Sequence, residues 1–380
     1  MSTDGHEGSL EFLYRERQRR YVTAMKNQQP DRVPVRLFAQ EFAARYAGYD
    51  NQQVACSYEL AFDATRRCVA ELGVDAAMSN AIVNWVGMIT ALGWKSVTFP
   101  GAGLAPTSAT QWGEPSDEES AFLKKDEYGS LIDDPTAFLL NTWFPRFTRH
   151  IQPPGSPVTL EHNMALINGA LSFLMYMGEF GRYGQMMRTE AGVVAANAGT
   201  LKAPLDILAD KMRGYINLSY DLFERKDQVM AACEALAPHL LKSALGGADP
   251  EKLVPVTIWM HRGGVPFVSG EIFRDIYWAT LKPIVEEIWA AGHQVLFYAE
   301  GNWDAHLRAS TSCRRAASST TSTGETSSGP PRFWGRSSAS AAACRTTCCP
   351  SGRPRPCGSA AGRSSRGSPA GEATSWMPAP

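Results

Sequence analysis

The chain has 380 residues, of which 44% are hydrophobic and 20% are charged, and its formal net charge at pH 7 is −1. This near-neutral balance gives no reason to expect nucleic acid or an anionic membrane as the main partner, and no apolar run approaches the roughly 20 residues that span a bilayer. The opening stretch, MSTDGHEGSLEF, lacks the charged-then-apolar order of a secretion signal. The expected location is therefore the cytoplasm.

Short apolar runs alternate with longer amphipathic stretches through the first 307 residues, which is the pattern of βα units. The predicted helices cover residues 10–27, 58–72, 84–92, 204–236 (broken near Arg213–Gly214) and 270–291. The first predicted strand follows Asp31 and Pro34. The later predicted strands cover residues 74–78, 95–99, 157–161, 254–260 and 294–300. Residues 102–156, rich in Pro, Gly and acidic side chains, are predicted to be an excursion from the core.

A single series of strand, turn, long helix and strand favours a (β/α)₈ TIM barrel, of class α/β, over a doubly wound sheet. We divide the chain into an N-terminal helical segment (1–30), a barrel (31–307) and a tail (308–380). The barrel is expected to be incomplete at its C-terminus, because the tail does not read as a folding sequence.

The tail contains no Leu, Ile, Val, Tyr, Lys, Asp, Asn, Gln or His, and consists mainly of Ser, Ala, Arg, Gly, Thr, Pro and Cys. Such a composition buries too little apolar surface to offset the entropy of ordering the backbone, so the tail is expected to be disordered. Five of the eight cysteines lie in it, but their spacing fits no zinc module and no histidine accompanies them.

A shifted reading frame explains this composition, with a natural low-complexity tail as the alternative. When the last base of each codon is joined to the first two bases of the next, permitted codon choices turn residues 319–328 into Phe-Tyr-His-Val-Asp-Arg-Gly-Asp-Ile-Phe. Residues 339–350 become Cys-Ile-Ser-Gly-Gly-Val-Pro-Asn-Asp-Leu-Leu-Pro. These strings contain the alternating apolar strands and Gly/Pro turns that the tail lacks.

Polar side chains concentrate where predicted strands end, and in a barrel chemistry sits at the carboxyl ends of the strands. The candidate residues at these ends are Arg36, Asn80, His261, Arg262, Tyr298, Glu300 and Asn302. Gly263 and Gly264 follow the His-Arg pair and would let a ligand approach the backbone. The structural alternatives are a turn hydrogen bond for Glu300, a salt bridge for Arg262 and a helix cap for Asn80.

Three stretches resemble the uroporphyrinogen decarboxylase superfamily. They are PDRVPV (30–35) leading into the first strand, DEYGSLIDDP (126–135), and the whole of residues 261–307, which begins HRGGVPFVSGEIF. The resemblance covers about residues 15–307. It implies a single barrel with one of two chemistries: decarboxylation of a tetrapyrrole without a cofactor, or methyl transfer between a corrinoid and a thiol with zinc.

The chain departs from both branches of that superfamily. The decarboxylases carry an arginine-rich loop after the first strand, where this chain has LFAQEFAARYAG (37–48), and an aspartate where it has Asn80. The methyltransferases end a late strand with His-x-Cys-Gly, where this chain has Tyr298-Ala-Glu300-Gly. Only Glu300 and His261 are offered as zinc ligands, should zinc be present, and no thiolate accompanies them.

The resemblance implies a carboxy-lyase that acts on a tetrapyrrole or another carboxylated small molecule and needs no metal or cofactor. In that case Glu300, Tyr298 and His261 do the acid–base work, while Arg36, Arg262, Asn80 and Asn302 bind substrate. One alternative is a methyltransferase-like protein that uses zinc and a corrinoid. Another is a non-catalytic product, because loss of the last strands would impair the barrel. A homodimer is also expected.

Overall fold

The structure is a computed structural model that describes residues 4–78 and 86–306, together with the backbone of residues 318–322. Its strands, in chain order, are β1 (Arg36–Leu37), β2 (Ala76–Ala77), β3 (Val97–Pro100), β4 (Gly103–Leu104), β5 (Gln111–Trp112), β6 (Val194–Ala195), β7 (Thr200–Lys202), β8 (Val256–Met260), β9 (Val295–Ala299) and β10 (Ser318–Ser322).

Long helices separate these strands. The α-helices are α1 (Asp4–Met25), α2 (Glu41–Ala47), α3 (Asn51–Ala55), α4 (Tyr58–Leu72), α5 (Val86–Leu92), α6 (Tyr128–Asp133), α7 (Pro135–Phe138), α8 (Phe144–Phe147), α9 (Leu160–Ala191), α10 (Pro204–Ile207), α11 (Tyr215–Glu224), α12 (Lys226–Gly246), α13 (Gly270–Ile272) and α14 (Ala279–Ala290). Short π-helical turns lie at Leu139–Trp143, Leu208–Arg213 and Phe273–Trp278.

Two open parallel sheets carry the fold. One has the order β1-β2-β6 and the other has the order β10-β9-β8-β7, and every neighbouring pair in them is parallel. This confirms the α/β class, because parallel neighbours need crossover connections, and helices lie in the described parts of the connections among β1, β2 and β6 and among β7, β8 and β9. A closed (β/α)₈ barrel is not shown by the described residues.

The predicted strand at 95–99 does form as β3, but it belongs to neither parallel sheet. It lies in a small separate sheet of order β4-β3-β5, where Val97 faces Trp112 in antiparallel register. The excursion therefore begins earlier than predicted, because β3 pairs with strands of the excursion itself.

The prediction of a strand at 157–161 was wrong. The side chain of Thr159 accepts a hydrogen bond from the backbone N–H of His162, and this N-cap starts α9 at Leu160. The strands at this point of the series are β6 and β7. The sequence analysis missed them because Ala and Gly interrupt that stretch of chain.

A buried ion-pair network explains the Pro-Asp-Arg-Val-Pro motif. Asp75, fully buried just before β2, accepts hydrogen bonds from Arg20 of α1 (2.7 Å), from Arg32 (2.7 Å) and from the backbone N–H of Val35 (2.7 Å). Arg20 also pairs with Asp31. Burying a carboxylate requires such partners, so the motif joins α1 to the entries of β1 and β2.

The main core lies between β7, β8 and β9 and the helices that cover them. Ile258, Val295 and Phe297 from the strands pack with Val285 and Ile288 from α14, and all five are at most 2% exposed. This packing fixes where the carboxyl ends of these three strands lie.

Five residues of the segment that was expected to be disordered form β10, which pairs in parallel with β9 from Ser318↔Val295 to Ser322↔Ala299. The rest of residues 308–380 lies outside the described part of the chain. None of the helices in the described ranges is long and apolar enough to cross a membrane.

Candidate acid–base site

The candidate site lies at the carboxyl ends of β7, β8 and β9. Strand register places Lys202 beside Trp259 and Trp259 beside Tyr298. His261 follows β8 and Glu300 follows β9, and each lies two residues beyond one of these aromatic side chains. Because side chains alternate along a strand, residues two apart share a face, and the set converges on one face of the sheet.

His261 lies between two carboxylates. Its Nδ1 is 3.0 Å from Asp210 Oδ2, and its Nε2 is 3.6 Å from Glu300 Oε2. The side chains of His261 and Glu300 are 31% and 32% exposed, so a solute can reach them, whereas Asp210 is 7% exposed. A carboxylate behind Nδ1 holds the orientation of the ring, which leaves Nε2 as the outward-facing nitrogen.

Asp210 is the charged centre of the cluster. It forms ion pairs with Lys202 and His261, and it accepts a hydrogen bond from Arg262 Nε at 3.2 Å. Burial by itself would raise the pKa of Asp210, but the hydrogen bond from His261 and the charge of Lys202 outweigh burial and hold that pKa well below its usual value. Asp210 therefore supplies a fixed negative charge to His261.

Asp206, one helical turn before Asp210, is fully buried. Its carboxylate accepts the backbone N–H of His261 (3.0 Å), the backbone N–H of Arg262 (2.6 Å) and the hydroxyl of Tyr277 (2.8 Å). Burial, together with the neighbouring charge of Asp210, raises the pKa of Asp206 from 3.8 to about 6. These bonds fix the chain where it leaves β8 and so position the His261 ring.

Aromatic rings form a wall beside Glu300. The centroids of Trp259 and Tyr298 are 4.4 Å apart, and Phe38 contacts both rings edge-on at 5.6 and 5.7 Å. Trp259 Nε1 donates to Glu300 Oε1 at 2.8 Å and so orients the carboxylate. Burial, with the charge of Glu300 adding to it, raises the pKa of Tyr298, so its hydroxyl stays protonated at neutral pH.

The two arginines predicted to bind substrate, Arg262 and Arg36, lie in different surroundings. Arg262 pairs with Glu114 at 2.9 Å and lies over the rings of Phe267 and Tyr215, so its charge is already engaged. Arg36, at the start of β1 and partly buried, acts electrostatically on Tyr298, whose pKa its charge lowers in opposition to burial. Arg36 is thus near the aromatic wall.

Asn302, another of the predicted residues, does not join the cluster. The side-chain oxygen of Asn302 accepts the backbone N–H of Asp304 at 3.1 Å, and its carbonyl accepts the N–H of Val265 at 2.8 Å, which are turn contacts. Asn80 lies outside the described residues. Of the polar side chains predicted at the strand ends, His261, Glu300 and Tyr298 therefore lie together, and Arg36 lies near the aromatic wall.

The two glycines after Arg262 do not leave room for a ligand. A Cβ added to Gly263 would lie 2.4 Å from the ring of Tyr277, and one added to Gly264 would lie 2.9 Å from the carbonyl oxygen of Asn302. Their role is to let the chain pack closely against these groups, because any larger residue would collide with them.

Sequence reasoning missed Lys202, Asp206 and Asp210. Lys202 lies on β7, which the sequence analysis did not predict, and the two aspartates lie on the helical turns after it, within the helical region predicted at 204–236. The available signal was the pair of aspartates four residues apart in PLDILAD, since side chains at that spacing share one helix face. An aspartate pair directed at a neighbouring strand end is more informative than either residue alone.

The site does not fit the zinc centre of the methyltransferase branch. Among residues 4–78 and 86–306 there is no group of three or more His, Cys, Asp or Glu side chains arranged to hold a metal ion. His261 and Glu300 would supply two donors, whereas catalytic zinc sites have three protein ligands. The described thiols do not supply the third, since Cys68 and Cys233 are buried on α4 and α12 and Cys56 follows α3.

No model of a known protein family matches the chain, and no curated protein matches it. Among solved structures it is similar to a methyltransferase from Methanosarcina mazei, with 14% sequence identity and a TM-score of 0.48, over 78% of this chain and 73% of that chain. At this level of similarity the match does not establish a function, and the resemblance to the uroporphyrinogen decarboxylase superfamily stays a prediction.

Proposed function

We propose that the chain carries the acid–base site of a small-molecule carboxy-lyase of the uroporphyrinogen decarboxylase superfamily. The observation that carries the proposal is the position of His261 between Asp210 and Glu300, at the carboxyl ends of parallel strands and open to solute. In α/β proteins this end of the strands is where substrates bind.

Decarboxylation needs a proton donor at the carbon that loses its carboxylate. When the carbon–carbon bond breaks, its electron pair stays on the substrate carbon as CO₂ leaves, and that carbon must be protonated. In the proposal Nε2–H of His261 gives this proton, while Asp210 at Nδ1 stabilises the imidazolium before transfer. Glu300 at 3.6 Å then orients the ring and assists its reprotonation from solvent.

The substrate is proposed to be a flat, carboxylated molecule. The wall formed by Phe38, Trp259 and Tyr298 suits an aromatic or pyrrole ring, and Arg36 beside it suits a carboxylate. The stretch 37–48 lacks the arginine-rich sequence of the true decarboxylases, so we propose a substrate with fewer carboxylates than uroporphyrinogen.

The test is release of CO₂ from a panel of aromatic and pyrrole carboxylates by the purified chain. With a responding substrate, we expect His261→Gln to lower the rate by about 10²–10⁴-fold, the usual contribution of a general acid. His239→Gln serves as the matched control, because His239 lies on α12, outside the cluster, where its Nε2 is 3.5 Å from the hydroxyl of Thr136. Unchanged activity of His261→Gln would overturn the assignment.

A second candidate is the methyltransferase-like function of the related branch. It would need a zinc centre, and the described residues supply only part of one: His261 Nε2 and Glu300 would be two donors, with Asp210 behind Nδ1, as carboxylates often back histidine ligands of zinc. Metal analysis of the purified chain separates the two candidates. One zinc per chain, bound tightly and lost in His261→Gln, together with cobalamin-stimulated methyl transfer, would favour methyl transfer and count against the carboxy-lyase.

A further inference from the structure

A cavity of about 450 Å³ lies within the excursion. Its walls come from the start of β3, from the chain that follows β5, from residues 119–124 and from α8. The described residues that line it include none of the acid–base groups His261, Glu300 and Tyr298. Its volume falls within the roughly 300–1,000 Å³ of small-molecule sites, so the cavity has room for a ligand of its own.

Backbone hydrogen bonds hold the walls of this cavity in place. The N–H of Gly113 donates to the carbonyl of Ser96 at 2.8 Å, which ties the chain after β5 to the start of β3. The N–H of Lys95 donates to the carbonyl of Phe147, at the end of α8, at 3.0 Å. A site formed in advance loses less conformational entropy when a ligand binds.

Two lysine ammonium groups line the cavity. Lys95 Nζ donates to the backbone carbonyl of Arg146 at 2.7 Å, and Lys124 Nζ donates to the carbonyls of Glu118 (2.7 Å) and Glu119 (2.6 Å). Within the described part of the chain, neither ammonium forms an ion pair with a carboxylate. A carbonyl satisfies a donor but does not neutralise it, so two positive charges remain in the cavity wall.

The other charged groups of the cavity wall are already compensated or exposed. Arg146 is paired with Glu127, with Nη2 2.7 Å from Oε1. Glu114 is paired with Arg262 at 2.9 Å. Glu119 is exposed, so water and salt screen its charge. The cavity therefore favours an anion over a cation.

The electrostatic setting of Lys95 also favours an anion. Burial, together with the neighbouring positive charge of Arg149, lowers the pKa of Lys95. Both effects disfavour the ammonium form, and an anion placed beside it would oppose them.

Ser96 supplies an independent observation on the same wall. It lines the cavity and is 3% exposed, and its hydroxyl is buried without a hydrogen-bond partner among the described residues. A buried hydroxyl without a partner is costly, and most such groups in folded proteins have one. A ligand oxygen in the cavity would supply that partner.

We propose that this cavity binds a small organic molecule of the phosphate monoester class. The ammonium groups of Lys95 and Lys124 match the nearly two negative charges of such a group, and the hydroxyl of Ser96 donates to one of its oxygens. The remaining volume holds the organic part of the ligand. Binding here is separate from the proposed carboxy-lyase activity, because no acid–base group of that site contacts the ligand.

The first test is isothermal titration calorimetry of the full chain with phenyl phosphate, in a buffer free of phosphate. Phenol has the same ring without the charge, and phenethylamine carries a positive charge instead. We expect phenyl phosphate to bind with one site per chain and the other two probes not to bind measurably. Equal binding of phenol, or preferred binding of phenethylamine, overturns the proposal.

Variants then locate the bound phosphate. Lys95→Gln, Lys124→Gln and Ser96→Ala should each weaken phenyl phosphate binding about tenfold, because each removes a hydrogen bond to a charged group. Lys242→Gln, at an exposed position on α12, is the matched control and should bind as the wild type does. Binding that is lost in Arg36→Gln but kept in Lys95→Gln would place the phosphate at the aromatic wall and overturn the proposal.

A measurement on the wild type covers the case in which a variant fails to fold. Brief acetylation of the full chain, followed by peptide mass spectrometry, reports how reactive each lysine is. Saturating phenyl phosphate should slow the acetylation of Lys95 and Lys124 several-fold and leave Lys242 unchanged. Equal rates at Lys95 and Lys124 with and without phenyl phosphate would show that the cavity does not hold the anion.

Discussion

The pKa of Asp206 depends on the groups that surround it in the cluster. Its carboxylate accepts three hydrogen bonds, yet its pKa is raised to about 6, because burial and the nearby charge of Asp210 outweigh those bonds. Asp210, one turn away, has its pKa lowered, chiefly through His261 and Lys202 once burial is overcome. Two carboxylates of one helix thus titrate far apart, as paired acids in working sites often do.

This difference predicts how stability depends on pH. Between about pH 4 and 6 the unfolded chain has lost the Asp206 proton while the folded chain still holds it. The contribution of Asp206 to the free energy of unfolding therefore falls as pH rises. We expect the free energy of unfolding of the wild type to fall relative to Asp206→Asn by about 3 kcal/mol across that window. Asp210 acts in the opposite direction, and its contribution is lost only as pH falls further.

Urea unfolding of both proteins at several pH values measures the difference, and Asp133→Asn, exposed at the end of α6, is the matched control. The substitution at 206 also weakens the hydrogen bonds to β8, so the constant offset between the two proteins is ignored and only its change with pH is used. Parallel curves from pH 4 to 6 would show that Asp206 titrates normally.

At the scale of elements, the sequence predicts features that residues close in the chain determine, such as where a helix ends. The end of α4 at Leu72 follows from Gly73 in the left-handed region, and the break near Arg213–Gly214 follows from a glycine at φ +80°. The sheet to which β3 belongs and the existence of β6 and β7 were not predictable in the same way. Pairing partners are chosen by tertiary packing, which a local pattern of apolar residues does not encode.

The same limit applies to the candidate site. His261 and Glu300 were predictable, because each directly follows a strongly apolar strand. The spacing of Asp206 and Asp210 indicates that they share a helix face, but their role was not predictable, because it depends on where the helical turns after β7 come to lie against β8. The neighbouring sequence predicts where a residue lies along its own strand or helix. It does not predict which other strand or helix packs against that residue.

Gly214 offers a test of how the elements are held together. It joins the π-helical turn to α11, and a Cβ there would lie 1.9 Å from the carbonyl oxygen of Pro115, in the excursion. Gly214→Ala must therefore strain the backbone and also push two segments apart. We expect a loss of about 2–4 kcal/mol in the free energy of unfolding, as for other strained and overpacked sites.

Gly129→Ala is the matched control for this change, because Gly129 lies within α6 with no atom within 4 Å of an added Cβ. There alanine should stabilise the helix by roughly 0.5–1 kcal/mol. If Gly214→Ala unfolds at the same urea concentration as the wild type, the excursion does not pack against α11 as described.

At the scale of the whole molecule, the four-stranded sheet and the sequence disagree at β10. A parallel strand is covered on both faces and is normally rich in Val, Ile and Leu. The chain has Ser-Ser-Thr-Thr-Ser at residues 318–322, yet its backbone pairs with β9 along all five positions. In the shifted reading frame this part of the chain begins Phe-Tyr-His-Val at residue 319. Three of these four residues are aromatic or β-branched apolar residues, as expected for a covered parallel strand.

We therefore predict that the DNA encoding this chain contains a single inserted or deleted base between codons 300 and 320. Sequencing both strands across that interval checks it directly, and an intact frame there contradicts it. Mass spectrometry of the protein from its native source is an independent test. Peptides that follow Leu307 should contain Val, Asp and Leu, none of which occurs in residues 308–380 as written, whereas peptides matching the present tail would mean that the low-complexity sequence is genuine.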